Sequence, residues 1–313
     1  MYSCATDIFE NDITKIGMDI LEILLFDRTT KRNIIWATSD YEMYGEEYNS
    51  RFPITVNLIS NINSNIIQPR VKKNKSNKLT RTKEKAEVFT PSWICNIQNN
   101  LVDSEWFGRK DVFNIETDKS WITTNEVISF PKDNKHSWKK YVDDKRLEIT
   151  CGEAPYLVSR YDTVTGTPIA VKDRIGLLDR KLRIVNENTD TIENWYKWTK
   201  RAFESIYGFE FQGDSLLLAR ENILYTFIDN YVFKFNSVPD NKKIKEIAIV
   251  ISWNIWQMDG LKFTVPYEKV YEQFFQIPIE SSTSNQNQPC YCKIKDWRSK
   301  ETLTYKSIVL EGC

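Results

Sequence analysis

The sequence predicts an α/β fold on a parallel, doubly wound sheet, preceded by a small α+β extension over residues 1–69. Three observations carry that expectation. From Leu147 onward, short apolar runs alternate with stretches of helical periodicity, the pattern of strands joined by crossover helices. A polar segment from Arg70 to Lys85 with eight basic residues marks a break between two regions. The 313 residues are 41% apolar and 27% charged and include 10 Trp, 15 Tyr and 16 Phe, enough for a packed core.

In chain order, apolar residues recur at helical spacing from Asp7 to Phe26, and the stretches RNIIWATSDYEMYGEEY and RFPITVNLISNINSNIIQP read as short strands and turns. The basic segment reads as a solvated linker and as the place for phosphate contacts; a tether without a ligand explains the charges equally well. Next, AEVFTPSWICNIQNNLV reads as a turn that opens a helix at Pro91, where a missing amide proton costs nothing. Residues 103–140, rich in Trp, Asn, Asp and Lys and without clear period, read as an irregular insertion. LEITCGEAPYLVSRYD reads as strand, glycine turn and helix; DRIGLLDRKLRIV and TIENWYKWTKRAFESI are helical; SIYGFEFQ is a strand; DSLLLARENILYTFIDNYVFKF is a long helix; and IKEIAIVISWNIWQMDGL is a helix end plus a strand.

Charge and composition narrow the function. Lys+Arg and Asp+Glu both number 43, so no global field drives the chain to a nucleic-acid backbone and any such contact is local. No apolar stretch reaches the roughly 20 residues of a membrane span, and the first residues lack a signal peptide, so a cytoplasmic protein without membrane contact is expected. Six cysteines without repeated CxxC spacing and a single histidine, His136, leave zinc few ligands and make a hydrolytic triad improbable.

The chemistry rests on four short motifs. Cys151-Gly152-Glu153-Ala154 forms a glycine turn after a strand, where the backbone can approach a ligand and the following helix can offer free amides; a plain tight turn reads equally well. Glu210 closes the strand that ends in Ile206-Tyr207-Gly208-Phe209, and a strand-end carboxylate suits a vicinal diol because it accepts two hydrogen bonds. Taken together, the run from Glu148 to Leu157, the Phe89-Thr90-Pro91 segment before it, Glu210-Phe211 with LLLAREN, and Asn254 to Leu261 resemble, in order, the cofactor motifs of amino-methylating DNA methyltransferases, closest to the M subunits of restriction-modification systems. The resemblance spans Ala86 to Leu261. It implies a Rossmann-like methyltransferase sheet with helices on both faces over residues 86–313. It also implies S-adenosylmethionine as cofactor, held by Phe89, Thr90 and Pro91 at its methionine end, by Glu148, Thr150, Cys151, Gly152 and Glu153 around the first turn, by Glu210 and Phe211 at the ribose, and by Asp259 and Gly260 at the adenine. DNA would be the substrate, alongside a restriction or specificity partner protein.

The sequence departs from that family where the acceptor should be held. The family needs an acid or amide, two prolines and an aromatic after a fourth strand; the nearest match is Gln288-Pro289-Cys290-Tyr291, with Gln288, Pro289 and Tyr291 as catalytic candidates, and it comes after a polar stretch. Ala154 stands for the second glycine, Ile149 for the usual proline, and more than 50 residues separate Gly152 from Glu210 where dinucleotide folds have about 20. The stretch between the core and Cys313 is short for a target-recognition domain, so a partner is expected to help read DNA. Three functions stay open at this point: an adenine-methylating subunit, weak or partner-dependent; a non-catalytic DNA-binding or cofactor-sensing scaffold; and a methyltransferase for RNA or protein, since fold and cofactor site do not name the acceptor.

Overall fold

A computed structural model describes residues 6–73, 90–133, 135–268 and 289–311. Its centre is a three-stranded parallel sheet in the order β5 (Arg146–Glu148), β6 (Ile206–Glu210), β7 (Ile255–Gln257), with Arg146 opposite Ile206 and Gly208 opposite Ile255. β6 is buried at every residue, as a central parallel strand covered on both faces must be. Helices α6 (Leu177–Asn188) and α7 (Ile192–Phe203) connect β5 to β6, and α8 (Gly213–Phe235) and α9 (Asn241–Asn254) connect β6 to β7. The α/β class is therefore seen, and the boundaries of α6 to α9 track the periodic segments. Ile206 and Ile255 face the main core with these helices, whereas Tyr207, Phe209 and Trp256 face a second cluster built by the C-terminal hairpin β8 (Lys293–Lys295) and β9 (Thr302–Thr304) and by α10 (Tyr305–Glu311).

The N-terminal region shares the main core. The expected helix from Asp7 to Phe26 is two helices, α1 (Glu10–Ile16) and α2 (Met18–Leu25), because the chain is extended at Gly17. A two-residue hairpin of β1 (Phe26–Asp27) and β2 (Arg32–Asn33) comes next, then turns and a single helical turn, α3 (Val56–Ile59). Ile13, Leu21 and Leu24, all buried, join Leu224, Ile247 and Ile251 in one cluster; full burial of such side chains contributes about 1.5–3 kcal/mol each. Arg220, buried in α8, ties the two regions together by donating to the carbonyls of Leu24 (2.5 Å), Phe26 (3.2 Å) and Ile255 (2.8 Å). Burial pushes its pKa down, to about 10. The chain at Ile35 crosses the start of α8 so closely that a Cβ on Gly213 would lie 2.0 Å from the Ile35 carbonyl oxygen, which is why glycine stands there.

Three expectations are corrected. No helix comes directly after the Cys151-Gly152 turn: Thr150, Gly152 and Ala154 take left-handed φ values of 47°, 52° and 64°, and the chain winds irregularly to Gly176 before α6 begins. The apolar spacing in YLVSRY reflects a buried loop, with Leu157 and Val158 in the core. The start of the basic segment is tied to the fold, because Lys73 pairs with Asp214 at 3.0 Å with side-chain exposures of 9% and 0%, and the exposed Lys72 pairs with Asp7 at 3.1 Å. Residues 74–85 of that segment lie outside the described residues.

Finally, residues 103–140 are not irregular throughout. Helix α4 (Ser92–Phe107), opened by Pro91, runs into them; an antiparallel hairpin of β3 (Asn114–Thr117) and β4 (Ser120–Thr123) comes after it, and α5 (Trp138–Asp143) closes the segment. Its polar residues are structural. Arg180 donates to Asp103 (2.5 Å), Asn96 (2.8 Å) and Asn100 (2.7 Å), a hydrogen-bonded ion pair buried from water.

Candidate functional site

The carboxyl ends of β5, β6 and β7 bring most of the sequence-predicted residues to one edge of the sheet, where ligands of open α/β sheets bind. Glu148 ends β5, Glu210 ends β6, and Asp259 lies two residues beyond β7. Parallel pairing puts the first two at the same end of the sheet: Glu148 is opposite Gly208, and β6 runs two residues further to Glu210.

Glu210 is the hub. Its Oε2 accepts the Gly152 N–H at 2.8 Å, and its Oε1 accepts the N–H groups of Phe211 (2.8 Å) and Gln212 (3.2 Å). The acid at the end of one strand thus holds the turn after its neighbour. Burial raises the pKa of Glu210 against the lowering effect of those three amides. Cys151 is buried in the same turn, donates its N–H to Phe209 O at 2.8 Å, and lies so near Gly208 that a Cβ there would come 3.3 Å from its sulfur. Phe211 is half-buried with its ring edge-on to Tyr267.

Glu148 turns inward and accepts the N–H groups of Tyr156 (3.3 Å) and Leu157 (3.1 Å). Burial pushes its pKa up to about 8, the two amides lower it, and the nearby Glu210 raises it further. Glu153 is 3% exposed and accepts from the Arg70 N–H (2.6 Å) and the Tyr161 hydroxyl (2.5 Å), so it anchors the start of the basic segment. Thr150 stays exposed, its hydroxyl on the carbonyl of Ile149.

The expected free amides behind the glycine turn are also corrected. The first N–H groups of α6, from Leu177 and Leu178, donate to the carbonyls of Tyr156 and Leu157 at 2.8 and 2.9 Å, and Asp179 accepts the Gly176 N–H at 3.0 Å. Pro155 to Ile175 intervene between turn and helix, so this helix start is occupied by its own chain.

Thr90 and Pro91 sit beside the first turn: the Thr90 carbonyl accepts the Thr163 hydroxyl at 3.0 Å, and its side chain bonds Tyr156. Phe89 and Gln288 lie outside the described residues. Asp259 accepts the N–H groups of Leu261 (3.1 Å) and Lys262 (3.2 Å), and a Cβ on Gly260 would meet the Phe209 ring at 2.9 Å. Thr264 bridges Asp259 to Tyr291, which carries the C-terminal segment to the end of β7. There Pro289 is exposed, and Lys306 donates to the Tyr291 hydroxyl at 2.5 Å with its ammonium 4.1 Å from the ring centre.

Sequence reasoning missed two groups. Gln257, the last residue of β7, clamps the N-terminal region to the site: its amide accepts from Ile35 N (2.9 Å) and donates to the carbonyls of Ile35 and Phe211 (2.8 Å each). A polar residue closing an apolar strand was the available signal. The second group is a buried acid pair, Glu10 and Glu221, at 1% and 0% exposure, with no hydrogen-bond partner on either carboxyl among the described residues. Burial raises both, Glu10 to about 8, and Asp7 pushes the same way. Glu221 lies with Arg220 and Asn222 between the apolar runs LLLA and IL, which was its only mark in the sequence.

Among the described residues no group of three or more His, Cys, Asp and Glu is placed to hold a metal ion, and no helix is long and apolar enough to cross a membrane. Of the four described cysteines, Cys95, Cys151 and Cys292 are buried and Cys290 is exposed. Neither a family model, nor a curated protein, nor a solved structure matches this chain.

Proposed function

We propose that the chain is an S-adenosylmethionine-binding, DNA methyltransferase-like subunit of a restriction-modification system, with a Rossmann-like methyltransferase sheet. The observation that supports this most is the Glu210 to Gly152 hydrogen bond of 2.8 Å, which joins two of the resembling motifs at the carboxyl ends of adjacent parallel strands. The third motif is next in the same sheet, since Met258 N donates to Glu210 O at 3.0 Å one residue before Asp259.

The residues fit this cofactor in kind. A carboxylate has about four acceptor positions, and Glu210 uses three on backbone N–H groups. Exchange of the Gly152 bond would let it accept both hydroxyls of a ribose, while Asp259 would accept from an adenine amine. When bound, S-adenosylmethionine supplies a methyl group on a sulfonium, open to displacement by an amine lone pair. This chain would bind and orient; such a displacement needs positioning and electrostatics and no protein nucleophile. On the acceptor side, Gln288, Pro289 and Tyr291 would have to align the amine of a flipped adenine.

The second reading is a non-catalytic scaffold of the same fold, sensing cofactor or binding DNA. It is favoured by Tyr291, whose hydroxyl and ring are both engaged by Lys306. A methyl-transfer assay on unmethylated DNA with the purified chain separates the two. Turnover far below about 1 per second, the lower end of the usual enzyme range, is expected; activity at or above that value, lost in both Gln288→Ala and Tyr291→Ala with cofactor binding kept, would establish those residues as the acceptor site.

A further inference from the structure

The buried acids of α1 and α8 have no part in the candidate site, yet they are the costliest groups in the core. Glu10 opens α1 and Glu221 lies near the middle of α8. All four of their carboxyl oxygens are buried without a hydrogen-bond donor among the described residues, and so is Asp7 Oδ1. A carboxylate taken out of water and given no donor is strongly unfavourable, so the pair is neutral in the folded chain. The cations around it are engaged elsewhere: Lys72 with Asp7 at 3.1 Å, Lys73 with Asp214 at 3.0 Å, and Arg160 with Asp229 at 3.1 Å and Asn222 at 3.5 Å. Residues 70–73 connect this place to the turn after β5. The Lys72 ammonium, besides pairing with Asp7, lies 5.8 Å from the Phe9 ring centre, and the Arg70 N–H donates to Glu153 at 2.6 Å, next to Gly152.

We propose that Glu10 and Glu221 form a proton-dependent latch that holds α1 against α8, closed while both carboxyls carry protons and released as they ionise. Opening returns both acids to water, where each has an ordinary carboxyl pKa. Burial raises the Glu10 pKa from 4.5 to about 8, with Asp7 pushing the same way. Glu221 is raised first by burial and then by the charges of Glu10 and Asp7, against Arg160, which favours its ionised form. Asp7 is itself raised by burial against the pull of Lys72. Between pH 4.5 and 8 the closed form therefore holds protons that the open form has lost, and closure weakens as pH rises. One such proton changes the closed-to-open ratio about tenfold per pH unit, and two change it up to about a hundredfold. Release of α1 would also take Asp7 and Phe9 from Lys72 and loosen residues 70–73, whose Arg70 amide holds Glu153. Acidification thus tightens the turn of the candidate site from a distance, and the latch itself needs no bound cofactor.

The test is amide hydrogen exchange of the full chain without cofactor, from pH 5.5 to 8.5, corrected for intrinsic exchange rates. Ile13 and Gly17 report α1, since their N–H groups donate to Phe9 O at 3.4 Å and Ile13 O at 3.0 Å; Arg70 reports residues 70–73, and amides inside α8 report unfolding of the whole chain. Protection of Ile13 and Gly17 is expected to fall by about tenfold or more per pH unit up to pH 7.5, with Arg70 in step, and to lie below that of α8 at pH 8.5. Glu10→Gln and Glu221→Gln should each remove about a factor of ten per unit from that slope. Glu10→Met combined with Glu221→Met, which leaves nothing to ionise, should flatten the profile and keep α1 closed at pH 8.5; if that variant does not fold, the glutamine slopes decide. A flat α1 profile in the parent chain would overturn the proposal, as would a slope unchanged in both glutamine variants. Protection of α1 equal to that of α8 at every pH would overturn it too, because α1 would then leave only when the whole chain unfolds. Arg70 protection indifferent to pH while α1 responds would overturn the link to the candidate site.

Discussion

Replacing Glu148 by glutamine should change how stability depends on pH. Glu148 is buried at the end of β5, accepts two backbone N–H groups, and has its pKa raised from 4.5 to about 8, chiefly by burial. A raised carboxyl pKa means that the folded chain holds a proton that the unfolded chain has lost between pH 4.5 and 8, so unfolding free energy falls as pH rises through that window and levels off above it. At about 1.36 kcal/mol per unit, the cost grows to roughly 3 kcal/mol at pH 7 and roughly 5 kcal/mol above pH 8, as orders of magnitude. Glutamine keeps the carbonyl acceptor and does not titrate. Any cost of placing its NH₂ group is the same at every pH, so the slope carries the information. Urea unfolding of both proteins at pH 5, 7 and 9, followed by tryptophan fluorescence, should show the stability of Glu148→Gln rising relative to the parent by several kcal/mol across the series. Parallel pH profiles would refute the reasoning, since they would mean that Glu148 is ionised in the folded chain at little cost.

Other substitutions test the packing that positions the site. Arg220→Met leaves the carbonyls of Leu24, Phe26 and Ile255 without their donor; at about 1–3 kcal/mol for each buried unpaired group, urea unfolding should show a loss of about 3 kcal/mol or more, and a loss below about 1 kcal/mol would mean the carbonyls find other partners. Gly213→Ala puts a Cβ 2.0 Å from Ile35 O and should destabilise by about 1–3 kcal/mol in the same assay, the cost of overpacking; an unchanged midpoint would show that the Ile35 crossing gives way freely. Lys73→Ala takes the cation from Asp214, whose side chain is 0% exposed and keeps the Tyr41 hydroxyl at 2.8 Å, and should cost about 3 kcal/mol, whereas Lys15→Ala, at 74% exposure, should fall within about 0.5 kcal/mol. Equal effects at the two lysines would return residues 70–73 to a solvated tether.

The features legible in the sequence were those that depend on local periodicity. β6 and α6 to α9 lie where apolar spacing puts them, and α8 was visible although it is buried nearly all round, because a 23-residue stretch in which apolar residues keep recurring is too long for a strand. Glu210 and Gly152 could each be proposed as site residues, but their mutual hydrogen bond could not, since it joins positions 58 apart. The helix expected after Gly152 failed for a tertiary reason: Glu148 captures the amides of Tyr156 and Leu157 and fixes a loop whose apolar side chains imitate a helical face. The hairpin within 103–140 was hidden because its neighbourhood is held by buried polar groups, Arg180 with Asp103, Asn96 and Asn100, and hydrophobic patterning counts only apolar ones. The union of the N-terminal region with the sheet depends on Arg220 and Gln257, single polar residues whose partners lie more than 190 positions away.

The most direct test of the cofactor site is a calorimetric titration of the purified chain with S-adenosylmethionine, repeated on Glu210→Ala. Saturable one-site binding to the parent chain is predicted, weakened by about 1.5–3 kcal/mol in the variant, the range for a hydrogen bond to a charged group, or about 10- to 150-fold in Kd. The variant also frees the Gly152 N–H, so circular dichroism and thermal unfolding should confirm that it remains folded. No binding to the parent chain, or equal affinity in a folded Glu210→Ala variant, would contradict the assignment of the β6 carboxylate as the group that holds the cofactor.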